Sequence, residues 1–293
     1  MSIQKWISKN TYSLIGKTVA LSGSTGGIGR ELCAHLASLG ASLVLVDRNA
    51  KRSEALATSL SSRFPSLSVT HITADMEDIQ SVKAAAERLC TLEIDFLILN
   101  AGAYSIPRHT CDTGYDNVFQ INFISPYYLA KKLLPNIKKR GGKVIAVGSI
   151  AHAYSISDEN DVDFSTRKKA SLVYGNAKRY LMFSLLCLEE FKESIAVTHP
   201  GITFTNITAH YPKLIFAIIK HPMKVIFMSA RKASLCILRG IFEDSGCGEW
   251  IGPRIFGIWG YPKRQKLRAF KGSAEAERIC RAAERIYREI NEN

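Results

Sequence analysis

Tyr174 and Lys178 stand four residues apart in the stretch YGNAK. Residues at i and i+4 share one face of a helix, so a phenol and an ammonium meet there. A phenol titrates near pH ~10 and is a poor base at neutral pH. An adjacent cation favours its anion, which makes the phenol usable as a proton acceptor as well as a donor. Ser149, 25 residues upstream at the end of the apolar run KVIAVGS, adds a hydroxyl that can polarise a substrate oxygen. These groups suit proton exchange at an alcohol or ketone oxygen while hydride moves at the neighbouring carbon. Hydride transfer needs a carrier, so the pair has a role only beside a nucleotide site.

The elements that would position the pair alternate along the chain. Apolar strand candidates lie at 18–23, 42–47, 68–75, 95–100, 143–149 and 194–200. Between them run amphipathic segments of helical period, among them RELCAHLASLG, NAKRSEALATSLSSRF and EDIQSVKAAAERLC. Residues 114–140 form one long helical region that contains an unusual Pro126. Strands that are apolar throughout and separated by helices predict a doubly wound, mostly parallel α/β sheet with helices on both faces, in a single Rossmann-like domain. Tyr174 opens the helix after the fifth strand and Ser149 closes that strand, so both face the crevice at the carboxyl ends of the strands.

A nucleotide site is expected in the same crevice. The first strand runs into Gly23-Ser24-Thr25-Gly26-Gly27-Ile28-Gly29 and then opens a helix. Gly23 makes the turn, Gly27 admits a pyrophosphate to the helix N-terminus, and Gly29 lets the helix pack on the sheet. Asp47 ends the second strand, 18 residues after Gly29, where a carboxylate accepts the adenosine ribose hydroxyls of NAD and repels the 2′-phosphate of NADP. Arg48 pulls the other way, because a guanidinium pairs with phosphate. The charge argument favours NAD, with NADP as the alternative. Asp75 ends the third strand and can accept from an adenine amino group. Asn100, Ala101 and Gly102 end the fourth, with Gly102 leaving room for the cofactor.

The stretches SGSTGGIG (22–29), DM (75–76), LNAG (99–102), QINF around Asn122, GSI (148–150), YGNAK (174–178) and HPG (199–201) occur in this order. Over residues 16–206 the chain resembles the short-chain dehydrogenase/reductase family. The resemblance implies an NAD(P)-dependent oxidoreductase with Ser149, Tyr174 and Lys178 as its catalytic residues. It adds Asn122, which in the family bends its helix and fixes a water beside the lysine. Cofactor contacts are implied at Ser24, Thr25, Ile28, Met76, Lys178, Pro200, Gly201 and Thr205 as well. The long interval IAHAYSISDENDVDFSTRKKASLV is similar to the retinol dehydrogenase-like branch, which prefers NADP and often carries a small residue before its arginine. Arg48 fits that pattern and Asp47 departs from it. Homo-oligomers are implied too, through the helices holding Asn122 and Tyr174.

The rest of the sequence narrows the function classes. A formal charge of +13 suits anionic partners, but no zinc finger, arginine-rich arm or aromatic–basic alternation points to nucleic acid. Seven cysteines without a CxxC pair suggest free thiols in a reducing compartment. With no secretory signal in MSIQKWISKN, a cytoplasmic protein is expected. The histidines show no zinc spacing, so no metal is expected, and GSI lacks the second glycine of a GxSxG hydrolase. Residues 1–15 are an N-terminal extension, 16–260 the catalytic domain with a lid near 203–235, and 261–293 a basic helical tail. The segment YPKLIFAIIKHPMKVIFM at 211–228 is open to three readings: core, wall of a lipophilic pocket, or a patch touching membrane or partner. The substrate class this favours is an uncharged, lipophilic alcohol or ketone. A regulatory or scaffold protein that binds cofactor with little turnover is the alternative.

Overall fold

Five apolar runs, at 18–22, 42–47, 96–99, 143–147 and 195–198, become parallel strands that are buried almost throughout, because helices cover both of their faces, whereas the edge strand at 69–73 buries only Ile72. The computed structural model describes residues 1–203, 227–243, 248–267, 269–270 and 274–292. The described strands are β1 (Thr18–Ser22), β2 (Ser42–Asp47), β3 (Val69–Thr73), β4 (Phe96–Leu99), β5 (Lys143–Val147), β6 (Ile195–Thr198), β7 (Glu249–Ile255) and β8 (Trp259–Lys266). They form one sheet in the order β3-β2-β1-β4-β5-β6-β7-β8, parallel except for the antiparallel β7–β8 pair. The order reverses between β1 and β4, and the ends of these strands open the crevice where ligands of such sheets bind.

Helices cover both faces. One face carries α1 (Ile3–Asn10), α2 (Gly27–Ser38), α3 (Ala50–Ser61) and α8 (Ala230–Phe242) over a core that includes Trp6, Leu21, Leu36, Leu45, Ile98 and Leu238. The other carries α4 (Ile79–Cys90), α5 (Asn117–Phe119), α6 (Ser125–Lys139), α7 (Ala170–Leu186) and α9 (Ala274–Glu292) over a second core. Side-chain oxygens start several helices: Asn49 accepts from Arg52 N before α3, and Asp78 accepts from Gln80 N and Ser81 N before α4.

The single long helix expected over 114–140 is interrupted. Between α5 and α6 the turn Gln120–Ile124 is a π-helix, and Pro126 falls in the first turn of α6. The proline follows directly on the π-turn, where Ser125 N reaches back to Gln120 O, and such an altered register is where a helix absorbs a residue without an N–H.

The expected boundary at 260 falls inside β8, so residues 261–266 belong to the sheet and not to a tail. The basic edge strand KRQK shields the sheet from edge-to-edge pairing. Beyond it, α9 buries Ala276, Ile279, Ala283, Ile286 and Ile290 against α6 and α7. Residues 1–15 also pack on the body, with Trp6 stacked on Tyr261. A disulfide joins Cys187 at the end of α7 to Cys280 of α9, which corrects the expectation that all cysteines are free. Docking of α9 brings their Cα atoms to 6.3 Å, within the reach of a disulfide. Cys33, Cys90, Cys111 and Cys236 are free thiols, and Cys247 lies outside the described residues. Most of the expected lid near 203–235 also lies outside them.

Candidate active site

The turn after β1 is shaped by contacts that leave no space for side chains. Gly23 has φ +68°, and a Cβ there would come 2.9 Å from Ala101 Cα. A Cβ on Gly29 would sit 2.3 Å from the Gly23 carbonyl oxygen. Asn100 holds this turn to the end of β4: its Nδ2 donates to the carbonyls of Ser22 and Gly23, each at 3.0 Å. Ser22 Oγ accepts in turn from the backbone N–H groups of Asn100 and Ala101. The result is a cleft of about 360 Å³ lined by Gly23, Thr25, Gly27, Ile28, Gly29, Asp47, Arg48, Asp75, Met76 and Asn100–Gly102. These are the residues expected to hold a cofactor, now on one surface. Ser24 is buried behind it.

Asp47 lines the cleft at the expected place, but its carboxylate is engaged by protein donors. One carboxylate oxygen accepts from Thr25 N and Thr25 Oγ1, both at 3.1 Å. The other accepts from Ser53 Oγ at 2.6 Å and from Ser24 Oγ. A carboxylate offers about four lone-pair positions, and these four donors fill them. The buried Asp47 therefore braces the glycine turn, and a ribose hydroxyl would have to displace a protein donor to reach it. Arg48 and Arg52 are exposed and line the same end of the cleft. Asp75 is held in a turn in which its Oδ1 accepts from Glu77 N at 3.0 Å.

A second chamber of about 320 Å³ adjoins the first through Ile28, Asn100, Gly102 and Ala103. Its wall contains Ser149, Tyr174, Lys178, Pro200 and Gly201. Thr205 lies outside the described residues. Ser149 caps a 3-10 turn, Ile150–Tyr154, and accepts from Ala151 N at 3.2 Å. Burial pushes the Tyr174 phenol up to about 12, while a hydrogen bond with Ser149 pulls it down and loses. Tyr104 packs edge-on to the Tyr174 ring at 5.3 Å. Lys178 is buried, and desolvation lowers it to about 8; its Nζ donates to Val147 O at 3.0 Å and lies 5.8 Å from the Tyr174 ring centre. The lowering expected from this ammonium is not found: burial raises the phenol, and the opposing pull comes from Ser149.

Asn122 lies within the π-turn, fully buried. Its Nδ2 donates to Ala103 O (2.8 Å) and Val118 O (2.9 Å), and its Oδ1 accepts from Ala103 N. A Cβ on Gly102 would meet Asn122 Oδ1 at 2.8 Å and Lys178 Nζ at 3.4 Å, so these groups converge on one glycine.

Sequence reasoning missed the support behind Ser149. Arg179, next to Lys178, forms a buried two-pronged ion pair with Glu275 of α9 at 2.5 and 2.8 Å. Its third nitrogen donates to His152 O at 2.8 Å, and Glu275 also accepts from Ser157 N at 2.7 Å. No motif marks this clamp, because its members are 96 and 118 residues apart. His152 does not line the chamber. Its ring is buried, with Nδ1 bonded to Ser149 O at 2.6 Å and its edge against Trp250. His199 stacks on the other side of that tryptophan, and burial lowers it to about 4.

Comparison with known proteins agrees with this geometry. A family model described as short chain dehydrogenase matches residues 17–161. Short chain dehydrogenase rstn4 of Aspergillus nomiae is 29% identical over 225 residues, covering 66% of this chain and 61% of the relative. Human retinol dehydrogenase 13 is 27% identical over 203 residues, covering 67% and 61%. The match thus spans about six-tenths of the length of these curated relatives. Among solved structures, an uncharacterized protein from Mycobacterium paratuberculosis superposes with TM-score 0.74 at 21% identity, over 96% of this chain and 97% of that one. A short-chain dehydrogenase from Sphingobium yanoikuyae in complex with NADPH gives 0.54 at 26% identity, over 66% and 74%.

Proposed function

The chain belongs to the short-chain dehydrogenase/reductase family of oxidoreductases, and from that premise we propose that Tyr174 exchanges a proton with an uncharged, lipophilic alcohol or ketone at a nicotinamide site. The observation that carries this reading is the adjoining of the two chambers. Residues that fit a dinucleotide line one, and the Ser149–Tyr174 hydrogen bond faces the other. Gly23, Gly29 and Gly102 line the cleft and keep its floor tight, because a Cβ at each would meet protein atoms, and a bare backbone of this kind lets a dinucleotide approach closely. Once bound there, the nicotinamide supplies or takes the hydride. Ser149 donates to the substrate oxygen and polarises it. Tyr174, protonated at neutral pH, gives its proton to a ketone oxygen in reduction; in oxidation it must first release that proton, and its phenolate then takes one from the alcohol. Lys178, charged below about pH 8, favours the phenolate that reduction leaves behind.

The cofactor preference inferred from Asp47 alone changes at this point. Its acceptor positions are engaged by Ser24, Thr25 and Ser53, while Arg48 and Arg52 offer guanidinium groups at the same end. This favours NADP over NAD, and it is in keeping with the NADPH complex of the Sphingobium protein.

The reading is tested with Tyr174→Phe and Arg48→Ala in a panel of lipophilic ketones and alcohols. Loss of the phenolic oxygen should abolish turnover and leave NADPH affinity within about twofold, because the hydroxyl acts in the chemical step. Arg48→Ala should weaken NADPH by about tenfold or more and leave NADH unchanged, the effect of losing one charge-assisted bond. Equal turnover by Tyr174→Phe would refute the acid/base role, and tighter NADH binding by the wild type would restore Asp47 as the selector.

A further inference from the structure

The β7–β8 hairpin carries an apolar tip into solvent. Phe256 is 91% exposed, flanked by Trp259 at 42% and Ile255 at 40%, and Ile255 pairs with Trp259 across the hairpin. Phe256 also has φ +50°, a conformation that bulky residues rarely adopt. A soluble surface gains nothing from holding a phenyl ring strained and in water. The tip is nevertheless firmly anchored. His199 Nε2 bonds Gly257 O at 2.9 Å, and Ile258 N donates to Ile255 O at 2.9 Å.

The surroundings of the tip are basic. Arg254 adjoins the tip, its Cβ beside Gly260, while Lys263, Arg264 and Lys266 lie farther along β8, toward the Glu249 end of the hairpin, where Glu249 pairs with Arg264. Lys232 of α8 places its Nζ 3.6 Å over the Trp259 ring. An aromatic ring beside an ammonium suits the interface of a bilayer, where the ring enters the acyl boundary and the cation stays among headgroups. The tip also adjoins the catalytic chamber: a Cβ on Gly257 would touch Ile150, and Ile202 N faces Ile258 O, with Ile150 and Ile202 both in the chamber wall.

From the exposed aromatic tip and its basic collar, we propose that this hairpin docks the protein peripherally on an anionic lipid surface, with Phe256 and Trp259 inserted in the interface. Apolar insertion and attraction of the bases to anionic headgroups act together, as in other interfacial anchors. Among described residues no helix is long and apolar enough to cross a membrane, and docking of this kind needs none. The proposal stands apart from the catalytic reading, since it concerns adsorption and not turnover.

The chain carries its own probe. Of its three tryptophans, Trp6 and Trp250 are buried and Trp259 is exposed. The full-length protein is mixed with vesicles of phosphatidylcholine, or of equimolar phosphatidylcholine and phosphatidylserine, and followed by co-sedimentation and tryptophan emission. Binding and a blue shift are expected with the anionic vesicles and little of either with phosphatidylcholine alone; salt should reverse the binding. Phe256→Asp should lower partitioning by about tenfold or more, the loss of one inserted aromatic ring. Trp259→Phe should keep the partitioning and abolish the blue shift, and unchanged thermal unfolding would show that both variants fold. Equal binding to both vesicle types, or wild-type partitioning by Phe256→Asp, would overturn the proposal. So would a vesicle-free dimer that Phe256→Asp converts to monomer, because a second copy would then cover the tip.

Discussion

Two polar clamps brace the two chambers, and they draw on very different lengths of chain. Asp47 gathers Ser24, Thr25 and Ser53 from within residues 24–53, the first β–α–β unit and the start of α3. Glu275 gathers Arg179 and the Ser157 N–H across 96 and 118 residues. The first clamp is complete when its own unit has formed. The second exists only after α9 has docked on α7, so the loop behind Ser149 depends on the far end of the chain. Cofactor binding and catalytic competence should therefore separate under mutation.

The largest break in that comparison is expected from Gly29→Ala. The added methyl would lie 2.3 Å from Gly23 O and 2.8 Å from Ser24 Cα, both backbone atoms that cannot swing aside. Cofactor affinity, read by NADPH fluorescence, should fall by roughly a hundredfold or more, a strain of about 3 kcal/mol. The clamp at Glu275 should remain, so the disulfide-linked α9 should stay protected from proteolysis. A variant that binds NADPH like the wild type would show that the turn adapts.

That glycine turn was legible in the sequence, and so was most of the sheet. Strands buried on both faces must be apolar runs, and β2 matches its expected bounds, 42–47. The elements that escaped have physical reasons. An i→i+5 turn at 120–124 leaves no mark on a hydrophobic period of 3.6 residues. The strand β8, WGYPKRQK, is an edge strand with Pro262 and three bases, so it lacks the apolar signal of its neighbours. Asp47 stands at a position where a ribose acceptor belongs, and only the folded turn shows that serine and threonine hydroxyls use its oxygens. The Cys187–Cys280 pair and the Arg179–Glu275 pair depend on the docking of one helix, which no local pattern records.

The second, smaller effect should come from Glu275→Gln. Burial pushes the Glu275 carboxyl up, but hydrogen bonds from Arg179 and Ser157 win and hold it below its ordinary value of 4.5. A group lowered in the folded state stabilises above its unfolded pKa, and loses that contribution as pH falls through the folded value. Removing the charge leaves a buried guanidinium without its partner, which should cost about 2–3 kcal/mol. Thermal unfolding should show that loss at pH 7, with the difference from wild type shrinking as the medium is acidified toward the folded pKa. NADPH affinity should stay within about twofold, since the affected loop lies behind Ser149 and not along the cofactor cleft. A variant that loses cofactor affinity as much as stability would mean that the two chambers are not separately braced.

The finest test rests on Lys178, where the chambers meet. Desolvation lowers its ammonium to about 8 from an ordinary 10.5. Below about pH 8 the folded protein keeps the charge, and an anionic cofactor arriving nearby favours the charged form. Binding must then take up a proton at higher pH, so NADPH affinity should decline by up to about tenfold for each pH unit above 8, about 1.4 kcal/mol. Stability moves in the opposite direction over the same window. Between pH 8 and 10 the unfolded chain holds a proton on this lysine that the folded chain does not. Unfolding therefore takes up a proton, which becomes costlier as pH rises, and the Lys178 contribution to stability grows. Lys178→Met should flatten both slopes together. If the affinity slope survives in that variant, the titrating group lies at the arginine end of the cofactor cleft or elsewhere, and Lys178 does not couple the two chambers.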